Sequence, residues 1–336
     1  MEEMKKYQIL YDTSVADDFD VENALLRRLG LQEKYELIKY PSNDPKFLDF
    51  AEKADGACIY IPLNSECLDK FPNARVCAIP ALGADLAYPE AANEKGIYIC
   101  NAVAYCNEEV ATHSVALILD CVRRTSKFNA SLKDGRWNIH EGGKLHRLSQ
   151  MTHGLVSLGK IAQEVARMMK DGFGVKLKAF DPYAPDEVFE KLGVERADSI
   201  EELMVTCDIV SVHTPLFKNT YHMINKKHFD AITKPILFVV TSRGGVVDED
   251  DLLEAIKQGK IEAAGIDVIE DEKNFKSKLI PLKEVTATPH IAYYSEESDI
   301  ALREINLTDI IEVLEYGRPP KNLINKDVIG HERFKK

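Results

Sequence analysis

The chain has 336 residues, enough for two domains with separate hydrophobic cores, and its 45% hydrophobic and 29% charged composition is typical of a globular protein. Its formal net charge of −12 argues against nucleic acid and anionic membrane surfaces as partners, because both attract basic proteins. The charge does not exclude a small anionic substrate, since one arginine is enough to bind a carboxylate.

The cysteine pattern and the first residues bear on the compartment. The seven cysteines form no CxxC pair and show no metal-ligand spacing, and most of them stand in apolar stretches, which predicts buried thiols and no metal site. The first residues lead directly into a strand-like run without the pattern of a signal peptide, and no apolar run reaches the length of a membrane span. We therefore expect a cytoplasmic protein.

The first hundred residues alternate between short apolar runs and amphipathic segments, which predicts a parallel sheet covered by helices on both faces. The predicted strands are 7–11, 56–61, 76–79 and 97–100, and the amphipathic segments include 21–29 and 45–53. A long helix is predicted over 107–125, and it is apolar nearly all round. Such a helix is buried on most sides, either inside the protomer or against a second copy.

A turn-rich break near Asp134 and Glu141 is followed by a second strand–helix series that starts near His153. Its predicted strands are 154–157, 175–180, 208–212, 235–240, 263–266 and 285–287. A last long helix is predicted from about Ser295, and it ends at Gly317. No internal repeat is present, and two α/β domains are the natural division.

The segment Gly154-Leu-Val-Ser-Leu-Gly-Lys-Ile-Ala fits the strand–turn–helix pattern that binds a dinucleotide, with Ser157, Gly159 and Ala162 at its three special positions. A serine at the first position either adopts a glycine-type conformation, at a cost of about 1–3 kcal/mol, or changes the turn. Asp181 ends the next strand about 20 residues beyond Ala162, where a carboxylate receives ribose hydroxyls and repels a 2′-phosphate, which favours NAD over NADP. The alternative is that Asp181 and Pro182 simply begin a turn.

Three further segments follow predicted strands. Arg243 precedes two glycines, Asp267 precedes an acidic loop, and His290 follows a proline. Taken singly, these residues fit a surface arginine, a solvated loop and a structural histidine. Together they supply what hydride transfer from an alcohol requires, namely an anchor for a carboxylate, a base near neutral pH and an acid that orients the base.

The chain resembles the D-isomer-specific 2-hydroxyacid dehydrogenases over nearly its whole length. The matching segments are Asn107-Glu-Glu-Val-Ala-Thr-His, the dinucleotide turn, Asp208-Ile-Val-Ser-Val-His-Thr-Pro-Leu, Ser242-Arg-Gly-Gly-Val-Val-Asp-Glu, Ala264-Gly-Ile-Asp-Val and Thr288-Pro-His-Ile-Ala. The resemblance implies an α/β fold of two Rossmann-like, doubly wound parallel-sheet domains. The NAD-binding domain, residues 102–298, would be inserted into a substrate domain of residues 1–101 and 299–336.

The resemblance also implies an NAD-dependent oxidoreductase that moves a hydride between nicotinamide and C2 of a small D-2-hydroxy acid or 2-oxo acid. Arg243 would bind the substrate carboxylate and carbonyl, His290 would be the acid/base, and Glu272 would orient His290. The interval from Arg243 selects Glu272 over Glu270 as the family's glutamate. The long helix near Asn107 would contribute to a homodimer interface.

The same resemblance implies the ligands of cofactor and substrate. The backbone of Lys160 and Ile161 would bind the pyrophosphate, Thr241 and Ser242 would lie on the nicotinamide side, and Asp267 would bind the nicotinamide amide. The complete implied set for NAD is Ser157, Gly159, Lys160, Ile161, Asp181, His213, Thr214, Pro215, Thr241, Ser242 and Asp267. The residues implied for the substrate are Leu82, Gly83, Arg243 and Tyr293.

The chain departs from the family pattern at Ser157 and at three other positions. Ala81 begins a substrate loop that usually has glycine there, Val240 stands where an asparagine is common, and His153 replaces an apolar strand residue. These departures bear on cofactor affinity more than on the type of reaction. They favour, as the alternative to an active dehydrogenase, a dinucleotide-sensing dimeric scaffold or a degenerate paralogue.

Tyr293 and Tyr294 are similar to residues of the lactate-type and C-terminal-binding co-repressor branches of the family. By that likeness, Tyr293 contacts the side chain of the substrate, which favours an apolar or aromatic group. The alternative is that both tyrosines pack at the domain junction. Lactate-like, branched-chain and aromatic 2-oxo acids all stay open from the sequence.

Overall fold

Two parallel sheets organise the chain in a computed structural model that describes residues 6–13 and 18–333. One sheet belongs to a unit of Met1–Tyr105 and Ser295–Lys336, and the other to a unit of Cys106–Tyr294 that is inserted between these two segments. We call them the outer unit and the inserted unit. Both sheets are covered by helices, which confirms the predicted fold class of two doubly wound α/β sheets.

The outer unit has a five-stranded sheet in the order β2-β1-β3-β4-β5, a doubly wound order that places a switch point between β1 and β3. Its strands are β1 Tyr7–Asp12, β2 Tyr35–Tyr40, β3 Gly56–Cys58, β4 Val76–Ile79 and β5 Tyr98–Asn101. Its helices before the insertion are α1 Asp20–Leu29, α2 Phe47–Ala51, α3 Ser65–Asp69 and α4 Pro89–Lys95.

The long helix α12, Glu296–Leu314, returns the chain to the outer unit. Ser295 caps its N-terminus in a reciprocal capping box with Ser298. Inside the outer unit, Arg303 of α12 donates two hydrogen bonds to the buried carboxylate of Glu22 in α1, at 3.0 and 2.6 Å. This paired geometry satisfies two charges that burial would otherwise penalise, and it fixes α12 against α1.

The inserted unit has a seven-stranded parallel sheet in the order β12-β11-β10-β9-β6-β7-β8. Its strands are β6 Thr152–Val156, β7 Lys176–Phe180, β8 Glu195–Arg196, β9 Ile209–Val212, β10 Ile236–Val240, β11 Ile261–Ile266 and β12 Val285–Ala287. Its helices are α5 Asn107–Arg123, α6 Thr125–Lys133, α7 Lys160–Phe173, α8 Asp186–Leu192, α9 Ile200–Thr206, α10 Lys226–Asp230 and α11 Glu249–Lys257. Short 3₁₀ turns lie at Leu148–Gln150, Gly244–Val246 and Lys326–Val328.

The strand order of the inserted unit reverses between β6 and β9. In open parallel sheets, ligands bind outside the carboxyl ends of the strands at this switch point. The loops after β6, β9, β10, β11 and β12 contain most of the residues that the sequence assigned to a site. The topology therefore brings these loops to one edge of one sheet.

The division into units differs by a few residues from the predicted boundaries at 101/102 and 298/299. The N–H of Ala102 donates to the carbonyl of Ala81 at 3.0 Å, so the chain still belongs to the outer unit beyond residue 101. At the return, Ser295 and Ser298 form the cap of α12 and so belong with that helix. Which unit binds substrate and which binds cofactor stays a prediction.

Several predicted elements differ from those observed. The edge strand β2 and the helix α6 were not predicted, and the predicted strand 56–61 ends at Cys58. The long helix α5 begins at Asn107, as predicted; six of its side chains belong to the hydrophobic core of the inserted unit, and eight of its residues are buried. They are Val110, Ala111, Ser114, Val115, Leu117, Ile118, Cys121 and Val122. Packing within the chain therefore accounts for most of the apolar character of α5.

All seven cysteines are buried thiols without a disulfide partner, as expected. Burial raises the pKa of the Cys207 thiol to about 11 and that of Cys121 to about 12, so both are protonated at neutral pH. Among the described residues, no helix has both the length and the apolar character needed to cross a membrane.

Candidate active site

The turn after β6 has the geometry of an anion site. Gly159 is the N-cap of the 14-residue helix α7, and no side chain caps the first turn of this helix. A Cβ built on Gly159 would meet no atom within 4 Å, so the space beside this helix N-terminus is open. Uncapped N–H groups and the positive end of the helix dipole fit a phosphate placed there.

Ser157 adopts the glycine-type conformation, with φ +77°. For a residue with a Cβ this region costs about 1–3 kcal/mol, and local hydrogen bonds offset part of that cost. The N–H of Ser157 donates to the Phe180 carbonyl at 2.8 Å, and its Oγ donates to Asp181 Oδ2 at 3.3 Å. The turn therefore keeps its shape without the usual glycine.

Asp181 lies directly after β7 and is buried beneath this turn. Its Oδ2 also accepts the N–H of Leu158 at 2.8 Å, and its Oδ1 accepts those of Tyr183 and Ala184 at 2.8 and 3.0 Å. Burial alone would raise the pKa of Asp181, but these hydrogen bonds outweigh it and lower the pKa below its ordinary value. Asp181 is thus an ionised carboxylate that holds the loops after β6 and β7 together.

His290 and Glu272 form a direct pair. Glu272 Oε2 lies 2.8 Å from His290 Nδ1, and this contact leaves Nε2 as the second ring nitrogen for another partner. His290 itself has φ +51°, a conformation that a non-glycine residue adopts only when its surroundings impose it. An oriented imidazole in a strained loop at the edge of a sheet is typical of an acid/base group.

Asp267 supports the strained loop of His290. It lies after β11 and is buried, and its carbonyl accepts the N–H of His290 at 2.7 Å. Its carboxylate accepts the N–H groups of Ile291 and Ala292 at 3.0 and 2.9 Å, and the hydroxyl of Thr288 at 2.6 Å. These four hydrogen bonds hold residues before and after His290 as well as its own backbone, and so fix the loop.

Arg243 lies at the carboxyl end of β10, the strand beside β11, and one guanidinium N–H donates to the Ser242 carbonyl at 2.8 Å. The glycine after it allows a close approach of backbone. A Cβ on Gly244 would lie 2.1 Å from the carbonyl carbon of Ile269 and 2.5 Å from the nitrogen of Glu270. Gly244 therefore packs the Arg243 loop against the loop that leads to Glu272, so in this structure the glycine serves protein packing.

The remaining predicted cofactor residues lie at the same sheet edge. His213 and Thr214 follow β9, where the His213 N–H and the Thr214 hydroxyl both donate to the Val156 carbonyl, at 3.0 and 3.4 Å. The Pro215 carbonyl accepts the hydroxyl of Thr220 at 2.7 Å. Thr241 Oγ1 lies 2.7 Å from Ser114 Oγ.

One polar atom at this edge is buried without a protein partner among the described residues, and it is Ser242 Oγ. Buried hydroxyls are almost always hydrogen-bonded, so an orphan of this kind at a sheet edge favours a partner from outside the chain. Together with the open phosphate position beside Gly159, it shows that these residues fit a dinucleotide that runs along the edge.

The comparisons with known proteins agree with this geometry. The sequence model of the D-isomer specific 2-hydroxyacid dehydrogenase, NAD binding domain, matches residues 115–292. The chain is 33% identical over 304 residues to the glyoxylate reductase of Thermococcus litoralis, which covers 88% of this chain and 91% of that relative. The chain belongs to the D-isomer-specific 2-hydroxyacid dehydrogenase family.

Other family members match with different coverage. The chain is 35% identical over 271 residues to the D-3-phosphoglycerate dehydrogenase of Methanocaldococcus jannaschii, and it spans about half the length of that relative, 51%. The crystal structure of the holo form of Rhodotorula graminis D-mandelate dehydrogenase has a TM-score of 0.85 at 28% identity, covering 96% of this chain and 98% of that one. The cofactor of this dehydrogenase chain is NAD, in keeping with the family's NAD-binding domain.

The structure also shows a residue beside the candidate site that the sequence analysis did not single out. His113 Nε2 lies 2.9 Å from Thr288 Oγ1 and 3.5 Å from Asp267 Oδ1, which links α5 to the His290 loop. His113 belongs to a segment quoted for the resemblance, and its position within a mainly apolar helix was the available signal. The implied substrate residues Leu82 and Gly83 lie in the outer unit, in the half-buried loop after β4, where the Leu82 carbonyl accepts from Asn101.

Proposed function

We propose that this dehydrogenase interconverts a small D-2-hydroxy acid and its 2-oxo acid with NAD. The observation that carries the proposal is the 2.8 Å pair of His290 and Glu272, at the sheet edge that also bears Arg243 and the dinucleotide turn. An oriented acid/base, a cation for a carboxylate and a phosphate-binding helix are the parts that this reaction needs.

His290 is proposed to move the proton. In the direction of reduction, protonated His290 gives its proton to the developing alkoxide oxygen, and in oxidation the neutral ring removes the hydroxyl proton. Glu272 accepts from Nδ1 and fixes the orientation of the ring. Bound NAD supplies or accepts the hydride at C4 of its nicotinamide ring.

Arg243 is proposed to bind the substrate carboxylate with two parallel N–H donors, which orients C2 as well as holding the acid. One of its N–H groups donates to the Ser242 carbonyl, so the guanidinium is tied to the end of β10. A lysine in its place would keep the charge and lose the planar pair of donors.

The proposed cofactor residues keep the roles that the resemblance implied. Lys160 and Ile161 are the first residues of the uncapped helix α7, and their N–H groups are proposed to bind the pyrophosphate beside Gly159. Ser242 Oγ, buried without a protein partner among the described residues, supports a place beside the nicotinamide. Asp267 is proposed to bind the nicotinamide amide, although its carboxylate already supports the His290 loop.

Asp181 is proposed to contact the adenosine ribose and to select NAD over NADP. Its carboxylate already accepts four hydrogen bonds, of which the one from Ser157 Oγ, at 3.3 Å, is the longest. A ribose hydroxyl would therefore share these oxygens or replace that bond. Hydrogen bonds hold the pKa of Asp181 low, so the charge that opposes a 2′-phosphate is present at neutral pH.

The substrate class is proposed from Tyr293. Its ring packs edge-on against His290, with centroids 6.1 Å apart, and 41% of the residue is exposed. An aromatic surface beside the acid/base favours a 2-oxo acid with an apolar or aromatic side chain. Leu82 and Gly83 are proposed to contact the substrate carboxylate through their backbone.

We propose that the chain forms a homodimer through its inserted unit. Since α5 is mostly buried within its own chain, the support comes from the segment that follows it, where large apolar side chains are exposed: Leu132, Trp137, Ile139 and Leu145. Of these side chains Trp137 is the most exposed, at 88%. Clustered exposed apolar groups are typical of a protein interface, and the molar mass from light scattering tests this proposal.

The proposed location is the cytoplasm. Its support is that all seven cysteines are buried thiols outside disulfide bonds, which is usual for proteins of a reducing compartment.

The activity is tested by following NADH oxidation against glyoxylate, pyruvate, 4-methyl-2-oxopentanoate, phenylglyoxylate and phosphohydroxypyruvate. We expect turnover with at least one of these acids and a loss of about 10²- to 10⁴-fold in kcat for His290→Ala, with NADH binding retained. His146→Ala, in an exposed loop of the same unit, is the matched control and should keep full activity.

If NADH binds and no acid is reduced, the sensing scaffold replaces the dehydrogenase as the better description. If NADH does not bind, the chain is a degenerate paralogue.

A further inference from the structure

Ser211 lies between two histidines inside the inserted unit. Its Oγ is 2.7 Å from His153 Nε2 and 2.7 Å from His213 Nε2. His153 and Ser211 are fully buried on neighbouring strands β6 and β9, and His213 is half-buried directly after β9. The three side chains form one hydrogen-bonded chain from the interior of the sheet to its carboxyl edge, which we call the His–Ser–His relay.

Both histidines of the relay are neutral at physiological pH. Burial lowers the pKa of His213 to about 4, and burial together with the charge of His213 lowers the pKa of His153 to about 3. A neutral imidazole has one N–H donor and one bare nitrogen that accepts. The relay therefore has a direction, set by which nitrogen of each ring carries the proton.

The hydroxyl of Ser211 restricts that direction to two choices. Its hydrogen-bond partners in the described chain are the two Nε2 atoms, and it has a single proton. If both rings donated to Oγ, the hydroxyl proton would be buried without an acceptor, at the cost of a lost hydrogen bond. Ser211 must accept from one histidine and donate to the other.

The second nitrogen of His153 decides between the two directions. His153 Nδ1 is buried and has no hydrogen-bond partner in the described part of the chain. A proton on Nδ1 would create a buried N–H donor without an acceptor, and orphaned N–H groups are rarer than under-satisfied acceptors. The Nε2–H form is also the commoner tautomer of free neutral histidine. His153 therefore donates to Ser211, and Ser211 donates to Nε2 of His213.

We propose that Ser211 is a positioning residue that holds His213 in the Nδ1–H tautomer, so that His213 presents an N–H donor to an acceptor atom of the bound dinucleotide. His213 lies at the switch point of the sheet, between the ends of β6 and β9, and its Nδ1 has no partner among the described residues. The proposal rests on the cofactor site of the proposed function. It explains why a serine and a buried histidine occupy strand positions inside an apolar core.

Removal of the relay has a defined consequence for binding. Without the Ser211 hydroxyl, His213 exchanges between its tautomers, and the form with a bare Nδ1 places a lone pair against the acceptor of the ligand. The loss of one donor of this kind corresponds to a rise of roughly three- to tenfold in the Kd for NADH.

The first test needs no variant. Side-chain ¹⁵N NMR of the wild-type protein at neutral pH reads the protonated nitrogen of each histidine. We expect His213 to carry its proton on Nδ1 and His153 on Nε2. A His213 ring protonated on Nε2 would overturn the proposal, and this measurement stands even if a variant fails to fold.

The second test compares NADH affinities by fluorescence titration. Ser211→Ala should raise the Kd roughly three- to tenfold, because His213 then loses the hydroxyl that holds its tautomer. In a His213→Asn background, Ser211→Ala should have no further effect, because an amide has its own N–H donor and no ring tautomer. An equal Kd for Ser211→Ala and wild type, or the same loss in the His213→Asn background, would overturn the proposal.

The two proposals fail in different ways. If the wild-type protein binds and oxidises NADH and Ser211→Ala binds it equally well, only the proposal for the relay is wrong. If the wild-type protein does not bind NADH, the proposed cofactor site and the proposed role of the relay in binding are both wrong.

Discussion

At the scale of single residues, the candidate site depends on side chains from distant segments that meet at the ends of adjacent strands. Glu272 and His290 follow β11 and β12, and the strand order makes these two neighbours. Glu270, two residues earlier, contacts Tyr221 and His222 instead. The two glutamates therefore offer a matched comparison.

We predict that Glu272→Gln lowers kcat/KM for the 2-oxo acid by about 10- to 100-fold, whereas Glu270→Gln changes it less than about threefold. Both variants remove one negative charge from the same loop, but only Glu272 accepts from His290. Steady-state kinetics with saturating NADH provide the comparison. Equal losses in the two variants would mean that the loop's charge matters and the orientation of His290 does not.

A second residue-scale prediction concerns the strained turn. Ser157→Ala keeps a Cβ at φ +77° and loses the bond to Asp181, so we expect its free energy of unfolding to fall by about 1 kcal/mol. Ser157→Gly loses the same bond but removes the strain, and should be at least as stable as Ser157→Ala. Urea denaturation orders the three proteins. A glycine variant that is the least stable of the three would contradict the strain.

The sequence allows predictions for single residues that belong to a motif. It does not predict contacts between side chains from distant parts of the chain. The pattern around Ser157 left a glycine-type conformation and an altered turn as alternatives, and the structure has the first of them. The resemblance to the family implied Glu272, through its interval from Arg243. The contacts of His113 with Thr288 and Asp267 join residues far apart in sequence, and no local pattern contains them. The same holds for Gly244, whose close neighbour is the backbone of Ile269.

At the scale of elements, the strands with continuous apolar runs were predicted and the marginal elements were not. The edge strand β2 is mostly half-buried, so its residues show no continuous apolar run. The helix α6 buries only Ser131 among its described residues, and thus has no apolar stripe to reveal its period. The predicted strand 56–61 ends at Cys58, although Ile59 and Leu63 beyond it are also fully buried.

An element-scale prediction concerns the buried histidine of β6. Burial and the charge of His213 lower the pKa of His153 to about 3, so the folded chain keeps it neutral while the unfolded chain protonates it below its ordinary pKa of about 6.5. The free energy of unfolding therefore falls as the pH drops through this window. The contribution of one such group reaches about 1.4 kcal/mol per pH unit.

His153→Leu removes that contribution and keeps an apolar side chain in the core. We predict that its unfolding free energy falls less steeply than that of the wild type between about pH 6 and pH 4. The remaining slope includes His213, whose pKa burial lowers to about 4. Urea denaturation at several pH values measures both slopes, and parallel curves for the two proteins would show that His153 does not titrate in this way.

At the scale of the whole molecule, two parallel sheets in one chain, with one unit inserted into the other, account for the order of the motifs along the sequence. All the residues with proposed catalytic or cofactor roles belong to the inserted unit, and the loop with Leu82 and Gly83 belongs to the outer unit. The alternation of strand and helix patterns indicated two α/β domains, and the resemblance to the family implied that one is inserted into the other. It did not determine where the two segments of the outer unit join the insertion, since that depends on contacts such as the cap of α12.

The central claim is that this chain transfers a hydride between nicotinamide and C2 of a 2-oxo acid, and deuterium transfer tests it most directly. The protein is incubated with NADH that carries deuterium at both C4 positions and with the panel acid that is reduced fastest to a chiral product, and the product is analysed by mass spectrometry and chiral chromatography. We predict a D-2-hydroxy acid with deuterium at C2, and no such product with His290→Ala. Consumption of NADH without deuterium at C2, or a product of the L configuration, would contradict the claim.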